Sequence, residues 1–381
     1  DHPWWRRTAS YRLAMSLPRA SWAYSNLTVD YGDSPRSDWY GPDYLLRRLA
    51  GEYRDGHAQW LAESIDAANA EHPVSRWLNL LWYDPSVAPA PPEGLPTLVR
   101  FPDIDIVTAR SDWSGSESFL FFKCGPYIGE SALREMTYCP SSAHHVHPDT
   151  GNFMLFGAGE WLIRDDGYRA KLTGQHNTLI VDGGEQLGGG GPIFDGSLPH
   201  AVQSRPRIVR AESTPALDVI SGDAAPAYPM SSGLTRFVRH LIYLKPDILI
   251  VADDIALDRP RDLELRFHPE QGASVCDGAA FLMTGKKAAL RLEPLTPNNA
   301  TASAESLVTL PKEPLDLPGA LYTIRLRTNT KNWRNVVALS WADTGNAPKK
   351  VVMCGKGEKY VFTVGGKVVE FDWRTGKAGV R

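Results

Sequence analysis

Residues 1–83 carry apolar side chains at helical spacing, in three runs separated by short breaks. Pro42 suits the first turn of one helix, Asp55-Gly56 ends it, and Pro73 opens the last of the three. The apolar positions are Tyr44, Leu45, Leu46, Leu49 and Ala50; Trp60, Leu61, Ile65 and Ala68; and Trp77, Leu78, Leu80, Leu81 and Trp82. The pattern predicts part of a helical array, because three helices are too few to form a whole one.

Residues 84–96 contain five prolines. Since proline fixes φ and lacks an amide donor, neither a helix nor a central strand can persist through this segment. It is the clearest domain boundary in the sequence, and it predicts a linker between the helical part and the rest of the chain.

From residue 97 to 381 the pattern changes to short stretches rich in β-branched and aromatic residues, bounded by Gly, Asp or Ser. The strands predicted in this way are Ile104–Ala109, Ser118–Phe122, Phe153–Phe156, Glu160–Ile163, Thr178–Val181, Val238–Leu244, Ile248–Val251, Leu263–Phe267, Leu321–Arg325, Val336–Ser340, Val351–Met353 and Tyr360–Val364. With so little helical pattern, the region predicts stacked antiparallel sheets of the β-sandwich kind. The expected fold class is α+β and mainly β, with a small C-terminal sandwich from about residue 300.

Composition narrows the function. The 381 residues carry a net charge of −3, without the basic excess of a nucleic-acid-binding protein. No long apolar run is present, so no membrane-spanning helix is expected. The 12 Trp, 14 Tyr and 12 Phe residues fit either core packing or platforms for sugar rings. The four cysteines show no CxxC spacing, so they indicate no zinc ribbon, and their disulfide status stays open.

Three histidines lie close together in the sequence His144-His145-Val146-His147. In an extended segment, residues two apart face the same side, so His145 and His147 project together while His144 points away. This spacing makes the pair a candidate chemical site.

A predicted hairpin follows, and its register places a carboxylate beside these histidines. If Phe156 pairs with Glu160, Asp165 lies on the face that His145 and His147 share. His176 opens the next strand and can return to the same end of the sheet. Two imidazoles and a carboxylate form a common zinc-binding set. The alternative is that the histidines are hydrogen-bonded surface or core groups.

Three linked segments of this region resemble the signature of the heparinase II/III-like polysaccharide lyases. The signature reads approximately H-x-H-x-D-x-x-x-F, then L-x-D-x-G-x-Y, then H-N-T-x-x-x-D-G. The matching segments are His145-Val-His147-Pro-Asp149-Thr-Gly-Asn-Phe153, Trp161-Leu-Ile-Arg-Asp165-Asp-Gly-Tyr168 and His176-Asn-Thr-Leu-Ile-Val-Asp-Gly183. The resemblance is good over roughly residues 75–255, and in the remainder only the general pattern of predicted elements is similar.

The resemblance implies an α/α toroid followed by a multilayered antiparallel β-sheet domain, with substrate bound in the cleft between them. It also implies cleavage of uronic-acid polysaccharides by β-elimination, in which a base removes the C5 proton and an acid protonates the leaving oxygen at C4. The expected substrate is an acidic polysaccharide, either a glycosaminoglycan such as heparin, heparan sulfate or chondroitin sulfate, or alginate. The expected location is the bacterial periplasm or the extracellular medium.

Carried over residue by residue, the resemblance makes His145 the catalytic histidine that reaches into the cleft and assists proton transfer. His147, Asp165 and His176 match the metal-binding set. The implied ion is divalent, usually zinc, with Mn²⁺ or Ca²⁺ less favoured. It is expected to brace the cleft wall and not to act as a Lewis acid.

The catalytic tyrosine of the family lies in the toroid, upstream of the segment where this chain begins. Tyr11, Tyr24, Tyr31 and Tyr40 match no such motif, and packing is the expected role for most of them. The rest of the toroid, from the same protein or from another chain, is therefore an expected partner of this chain, and a homodimer stays open.

Four further residues near the signature are candidate substrate contacts. Arg164 and Arg169 suit uronate or sulfate groups, but they also suit solvated strand ends. Trp161 suits stacking on a sugar ring or core packing. Asp149 suits either a place behind the metal ligands or a loop cap, and the loop cap is slightly favoured.

Asp30, Asp33 and Asp38 lie around Tyr31-Gly32 in the helical part of the chain. They lack the spacing of an EF-hand, so the sequence favours a turn over a calcium site.

Two other functions remain open from the sequence. A uronate C5-epimerase shares the first proton abstraction and then reprotonates the opposite face. A non-catalytic β domain that binds polysaccharide and carries a structural metal would show binding without turnover.

Overall fold

The helical part precedes the sheets and forms its own small core. The computed structural model describes residues 3–22, 28–34, 43–68, 76–135, 145–167, 171–189, 204–296, 300–309 and 319–381. The first four helices are α1 (Pro3–Met15), α2 (Asp43–Tyr53), α3 (Gly56–Ala67) and α4 (Arg76–Trp82). Asp55 caps α3 by accepting hydrogen bonds from the amides of His57 and Ala58. The apolar faces of α1, α2 and α3 meet around Leu13, Leu49 and Leu61.

The Pro-rich segment 84–96 contains neither helix nor strand and lies against α3. The amide of Ala90 donates to the carbonyl of Gly56 at 2.9 Å, and the Nδ1 atom of His57 lies 2.8 Å from the carbonyl oxygen of Ala90. These contacts fix the path of the segment as it leaves the helices for the first sheet.

The first sheet has five antiparallel strands, paired in the order in which they occur in the chain. The strands are β1 (Leu98–Phe101), β2 (Ile106–Arg110), β3 (Phe119–Lys123), β4 (Asn152–Gly157) and β5 (Glu160–Ile163), and the short helix α5 (Glu130–Glu135) lies between β3 and β4. Alternate residues of β3 enter different cores. Leu120 and Phe122 face the second sheet, whereas Phe119 and Phe121 face Met15, Leu17, Val29 and other apolar residues of the N-terminal part. Burial on both faces explains the unbroken apolar sequence of this strand.

The second sheet is the largest and has ten antiparallel strands. They are β6 (Leu179–Val181), β7 (Arg207–Ser213), β8 (Leu217–Asp223), β9 (Leu234–Leu244), β10 (Ile248–Phe267), β11 (Ala273–Cys276), β12 (Ala280–Thr284), β13 (Ala288–Pro294), β14 (Thr301–Thr309) and β15 (Gly319–Asp343). Its main path runs β11-β12-β13-β15-β10-β9-β8-β7, with β14 paired to β15 and β6 paired to β10. Strands predicted as separate pieces are continuous here, because Ile248–Val251 and Leu263–Phe267 both belong to β10.

A third sheet covers the outer face of the second one. Its four antiparallel strands are β16 (Val352–Lys356), β17 (Lys359–Val364), β18 (Lys367–Asp372) and β19 (Lys377–Val380). Residues of β17 and β18 pack on Ile242, Leu244 and Ile250 of the ten-stranded sheet. This separate sheet begins at Val352 and not near residue 300, because β14 and β15 belong to the large sheet. The stacked antiparallel layers confirm the predicted fold class, α+β and mainly β.

A buried histidine connects the second and third sheets. The Nδ1 atom of His240 lies 2.8 Å from the Ser221 hydroxyl, and its ring packs edge-on against Phe371 and Trp373. Burial, with smaller contributions from the Arg210 and Arg334 guanidinium groups, lowers the pKa of His240 to about 4. The imidazole is therefore neutral in the folded protein at neutral pH.

The lowered pKa of His240 predicts that acid reduces the stability of the folded protein. The unfolded chain binds a proton at His240 below a pKa of about 6.5, whereas the folded protein does so only below about 4. Its contribution to stability is therefore complete at neutral pH and is lost as the pH falls through this window. We expect His240→Gln to reduce the stability difference between about pH 7.5 and about pH 4.5 by roughly 2 kcal/mol. Urea unfolding of both proteins at the two pH values measures this, and an unchanged difference would contradict it.

Candidate metal and catalytic site

The residues of the signature lie where two layers of the fold meet. The segment 145–151 leads into β4, Asp165 follows β5, and His176 lies shortly before β6. Because β4 and β5 are antiparallel, the first residues of β4 and the residues that follow β5 lie at the same end of these two strands. Strand β6 pairs with β10, so the third segment belongs to the second sheet.

His145 and His147 share one carboxylate partner, Asp33. The Nε2 atom of His147 lies 2.7 Å from Oδ1 of Asp33, and the Nδ1 atom of His145 lies 3.0 Å from Oδ2. The side chain of His147 is fully buried, whereas that of His145 is 68% exposed. Of the two rings, only that of His145 is open to solvent, and its catalytic role stays a prediction.

Lys171 also contacts this carboxylate. Its Nζ atom donates to Oδ1 of Asp33 at 2.6 Å. Burial opposes ionisation of Asp33, but the hydrogen bonds from His147 and Lys171 outweigh it and hold the pKa of the carboxyl well below its usual range. Burial lowers the pKa of His147, against the opposing effect of Asp33. We therefore treat Asp33 as ionised and His147 as neutral at neutral pH.

The second carboxylate, Asp165, is bonded to His176. Oδ2 of Asp165 accepts from the Nδ1 of His176 and from the Nδ2 of Asn152, each at 3.0 Å, and Oδ1 accepts from the amide of Gly167 at 3.0 Å. The ring centroid of His176 lies 5.3 Å from that of His147. His147, Asp165 and His176 therefore lie near one another, and their role as metal ligands stays a prediction.

The hairpin register that led to Asp165 was wrong in detail. Gly157 pairs with Glu160 and Phe156 with Trp161, and an irregularity between Leu155 and Phe156 shifts the remaining pairs. Asp165 reaches the site because it lies in the irregular segment beyond β5, where strict alternation no longer decides the direction of a side chain.

A metal ion fits the donor chemistry of this site. As the side chains lie, no three His, Cys, Asp or Glu residues within the described ranges converge closely enough to hold an ion. However, the Nδ1 atom of His147 is buried and has no hydrogen-bond partner among the described residues. A buried nitrogen lone pair without a partner is costly unless something binds it. A ligating histidine commonly gives its other ring N–H to a carboxylate, as His147 gives its Nε2–H to Asp33.

Three of the four side chains predicted to contact substrate are described, and all three are buried in the protein. Asp149 is buried and pairs with Lys123 at 2.5 Å. Arg164 is buried and pairs with Asp30, and Trp161 packs on Phe156 within the same layer. These contacts argue for structural roles for Asp149, Arg164 and Trp161, because a side chain inside the core cannot meet a polymer on the surface. Arg169 lies outside the described residues.

Three residues that the sequence did not single out hold the site together. Asn177 lies next to His176, and its Nδ2 donates to Oδ1 of Asn152 at 3.1 Å. Arg239 of β9 donates to the carbonyls of Gly151 at 2.7 Å and Asn177 at 2.5 Å. Asn152 and Asn177 are within the signature segments and could have been found there, whereas nothing in the sequence indicates the contacts of Arg239.

The tyrosines near the site are packed against each other. The hydroxyls of Tyr11 and Tyr31 are 2.7 Å apart, and the ring of Tyr31 stacks on Phe121. Burial raises the pKa of both phenols, in keeping with the packing role expected from the sequence. Tyr24 and Tyr40 lie outside the described residues.

No helix in the part of the chain that the structure describes is long and apolar enough to cross a membrane.

Fold and site together define a stacked antiparallel β-sheet domain with a histidine–carboxylate centre at the end of two layers. The sequence profile described as heparinase II/III-like, C-terminal, matches residues 93–313. The chain therefore belongs to the heparinase II/III-like family.

Solved structures agree with this assignment at the level of the fold. The chain is similar to the heparan sulfate lyase HepC from Pedobacter heparinus, with a TM-score of 0.62 and 16% identity over 97% of this chain and 51% of that one. It is similar to a heparinase III with a TM-score of 0.68 and 11% identity, over 96% of this chain and 53% of that one. The chain thus spans about half the length of the solved structures that it matches.

Proposed function

We propose that this chain forms the β-sheet wall of the active-site cleft of a polysaccharide lyase that acts on uronic-acid-containing polysaccharides outside the cytoplasm. The observation that carries the proposal is that an exposed histidine, His145, lies beside a buried group of residues, His147, Asp165 and His176. Family membership and the likeness in fold to a heparan sulfate lyase and a heparinase support it.

The proposed reaction is β-elimination. A base takes the proton at C5, the C5–H electron pair forms the C4–C5 double bond, and the C4–O bond breaks as the leaving oxygen gains a proton from an acid. His145 takes part in these proton transfers because its ring is accessible and its Nδ1–H is held by a carboxylate. The expected substrates are a glycosaminoglycan or alginate.

A divalent ion, zinc in our proposal, would be held by His147, Asp165 and His176. Imidazole and carboxylate groups suit zinc, and the buried Nδ1 of His147 supports the assignment. When bound, the ion would supply rigidity to the cleft wall. These residues are enclosed by protein, with His147, Asp165 and His176 almost without exposed surface, so a structural role is favoured over contact with the substrate.

The helical part offers a surface for the rest of a toroid. Trp4, Trp77, Leu80 and Leu81 expose between 57% and 84% of their surface on α1 and α4. Large apolar side chains that are exposed to this extent are typical of surfaces that another element covers. We propose that further toroid helices cover it and carry the catalytic tyrosine.

The test is a lyase assay on the longest protein product that contains this chain, with heparan sulfate, chondroitin sulfate and alginate as separate substrates. We expect ultraviolet absorbance from the conjugated uronide to appear with at least one polymer. We expect His145→Ala to lower kcat/KM by about 10²-fold or more. The matched control is His57→Gln, because His57 bonds the Pro-rich segment at Ala90 and lies in the helical part.

The outcomes separate the functions that the sequence left open. Deuterium exchanged into C5 without an unsaturated product would identify an epimerase instead. Saturable binding of the polymers with neither exchange nor elimination would leave a non-catalytic binding domain and contradict the lyase proposal.

A further inference from the structure

Asp33 comes from the helical part of the chain, yet it contacts two histidines of the β-sheet part. It is separated from His145 by 112 residues and from His147 by 114. Its two carboxylate oxygens are divided between them, with Oδ2 facing His145 and Oδ1 facing His147. No other described carboxylate bonds either ring.

The segment around Asp33 is held in place before the carboxylate makes its contacts. Asp30 forms a buried ion pair with Arg164, and Tyr31 stacks on Phe121 with ring centroids 5.1 Å apart. Gly32 has φ +64°, and a Cβ atom there would lie 3.2 Å from the carbonyl oxygen of His145. The left-handed backbone and the close approach both favour glycine at this position.

Backbone contacts complete the placement. The amide of Asp33 donates to the carbonyl of His145 at 3.3 Å, and Lys171 donates to Oδ1 of Asp33 and to the carbonyl of Val146. The ammonium group compensates the charge of the carboxylate, whose side chain is only 9% exposed. The Asp33 side chain is therefore fixed in position relative to the 145–147 segment.

The chemistry of a carboxylate then decides the protonation of each ring. An ionised carboxylate only accepts hydrogen bonds, so each histidine must present an N–H to it. His145 carries its proton on Nδ1 and His147 carries its proton on Nε2. In each neutral ring the lone pair is then on the other nitrogen.

We propose that Asp33 is the positioning residue of this site, setting opposite tautomers in the two histidines so that His145 presents Nε2 to the substrate and His147 presents Nδ1 to the metal ion. The inference rests on the proposed function for the roles of the two nitrogens, but the tautomers themselves do not depend on it. Asp33 acts through the histidines and does not itself touch the reacting atoms.

The first experiment measures the tautomers directly. Histidine-labelled wild-type chain is examined by ¹⁵N NMR at a pH where the rings are neutral. We expect His145 to carry its proton on Nδ1, although a free histidine ring favours Nε2. We expect Asp33→Asn to return His145 predominantly to the Nε2–H form, because the one amide oxygen accepts the Nε2–H of the buried His147 and the amide NH2 then donates to Nδ1 of His145. A wild-type His145 in the Nε2–H form would overturn the proposal, and this result needs no variant to fold.

The matched control is Asp30→Asn. It changes a carboxylate in the same segment that pairs with Arg164 and bonds neither histidine in the structure. We expect the tautomer of His145 to be unchanged in it. If Asp30→Asn shifts the tautomer as much as Asp33→Asn does, the effect belongs to the segment as a whole and the specific role of Asp33 is refuted.

Kinetics supply the second readout. In the lyase assay, Asp33→Asn should lower kcat by about 10²-fold while KM changes less than threefold, because orientation of a proton-transfer group affects the chemical step. Asp33→Glu should recover part of the loss. If wild-type protein shows no elimination but the tautomers are as stated, the proposed function fails and the inference on Asp33 stands. If elimination occurs and Asp33→Asn retains full kcat, the inference fails alone.

Discussion

Replacing Arg239 with methionine is expected to lower the free energy of unfolding by about 3–5 kcal/mol, the effect of breaking a buried ion pair. Arg239 and Asp253 are both fully buried, and the guanidinium Nε and Nη2 atoms contact the two oxygens of Asp253 at 2.7 and 3.0 Å. Methionine fills a similar volume but leaves the carboxylate buried without its partner. Urea unfolding followed by fluorescence measures the difference.

The same change should also disturb the candidate site. Arg239 binds the carbonyls of Gly151 and Asn177, which belong to the two segments that carry His147 and His176. Without these bonds, the first and second sheets lose a shared anchor at the site. We therefore expect weaker metal binding in the folded variant, measured by zinc titration with a competing chelator.

The chain provides a matched control on the same two strands. Arg236 and Asp254 also pair between β9 and β10, at 3.0 Å, but the arginine side chain is 47% exposed. Arg236→Met should cost less than about 1 kcal/mol, because water screens an exposed pair. Removing both members of the buried pair, as Arg239→Met with Asp253→Leu, should recover much of the loss. Equal costs for Arg236→Met and Arg239→Met would show that burial does not decide the effect.

Replacing His147 or Asp165 with alanine is expected to abolish binding of the proposed metal ion and to lower the melting temperature by about 10 °C. An ion present at about a thousand times its Kd stabilises the folded protein by about 4 kcal/mol. For a domain of a few hundred residues, each kcal/mol shifts the melting temperature by roughly 2–4 °C. Elemental analysis of the purified variants and thermal unfolding, with and without added zinc, measure both quantities.

His145→Ala is the control for this prediction. His145 is exposed and bonds Asp33, whereas His147, Asp165 and His176 form the proposed metal set. We expect His145→Ala to retain the full metal content and to melt close to the wild type. Unchanged metal content in both His147→Ala and Asp165→Ala would show that the ligand assignment is wrong, whatever the activity of the protein.

Local pattern was informative wherever a residue's neighbours in sequence are also its neighbours in space. The apolar run within Ser118–Phe122 predicts a strand, and the structure has it as β3, Phe119–Lys123. The apolar periodicity of residues 44–50 predicts a helix, observed as α2. In both cases the repeat of the side chains is a property of a few consecutive residues, so it can be read without knowing the partner.

Strand continuity and register were harder to predict. β10 contains Asp253, Asp254 and a run of charged residues near Arg259, which interrupt its apolar pattern, yet it continues for 20 residues. It does so because β9 and β15 pair along it, and Arg239 and Arg236 neutralise the two aspartates. Pairing partners of this kind are not visible in the strand's own sequence.

The histidine and aspartate residues of the candidate site could be proposed from the sequence because they lie in short linked segments. The i, i+2 spacing of His145 and His147, and the nearby Asp165 and His176, were enough to predict one cluster. What the sequence could not predict was the direction of each ring nitrogen, since this depends on partners elsewhere in the chain.

The sequence by itself determined the β-sheet class of the larger part, and it predicted the order of the chain's parts and the four residues of the candidate site. Only the tertiary structure brought Asp33 to both histidines, placed Arg239 between two segments of the site, and turned Arg164, Trp161 and Asp149 inward. Periodicity and motif spacing act over a few residues, whereas these contacts join positions tens to more than a hundred residues apart. Their geometry is set by the packing of whole layers, which no local pattern contains.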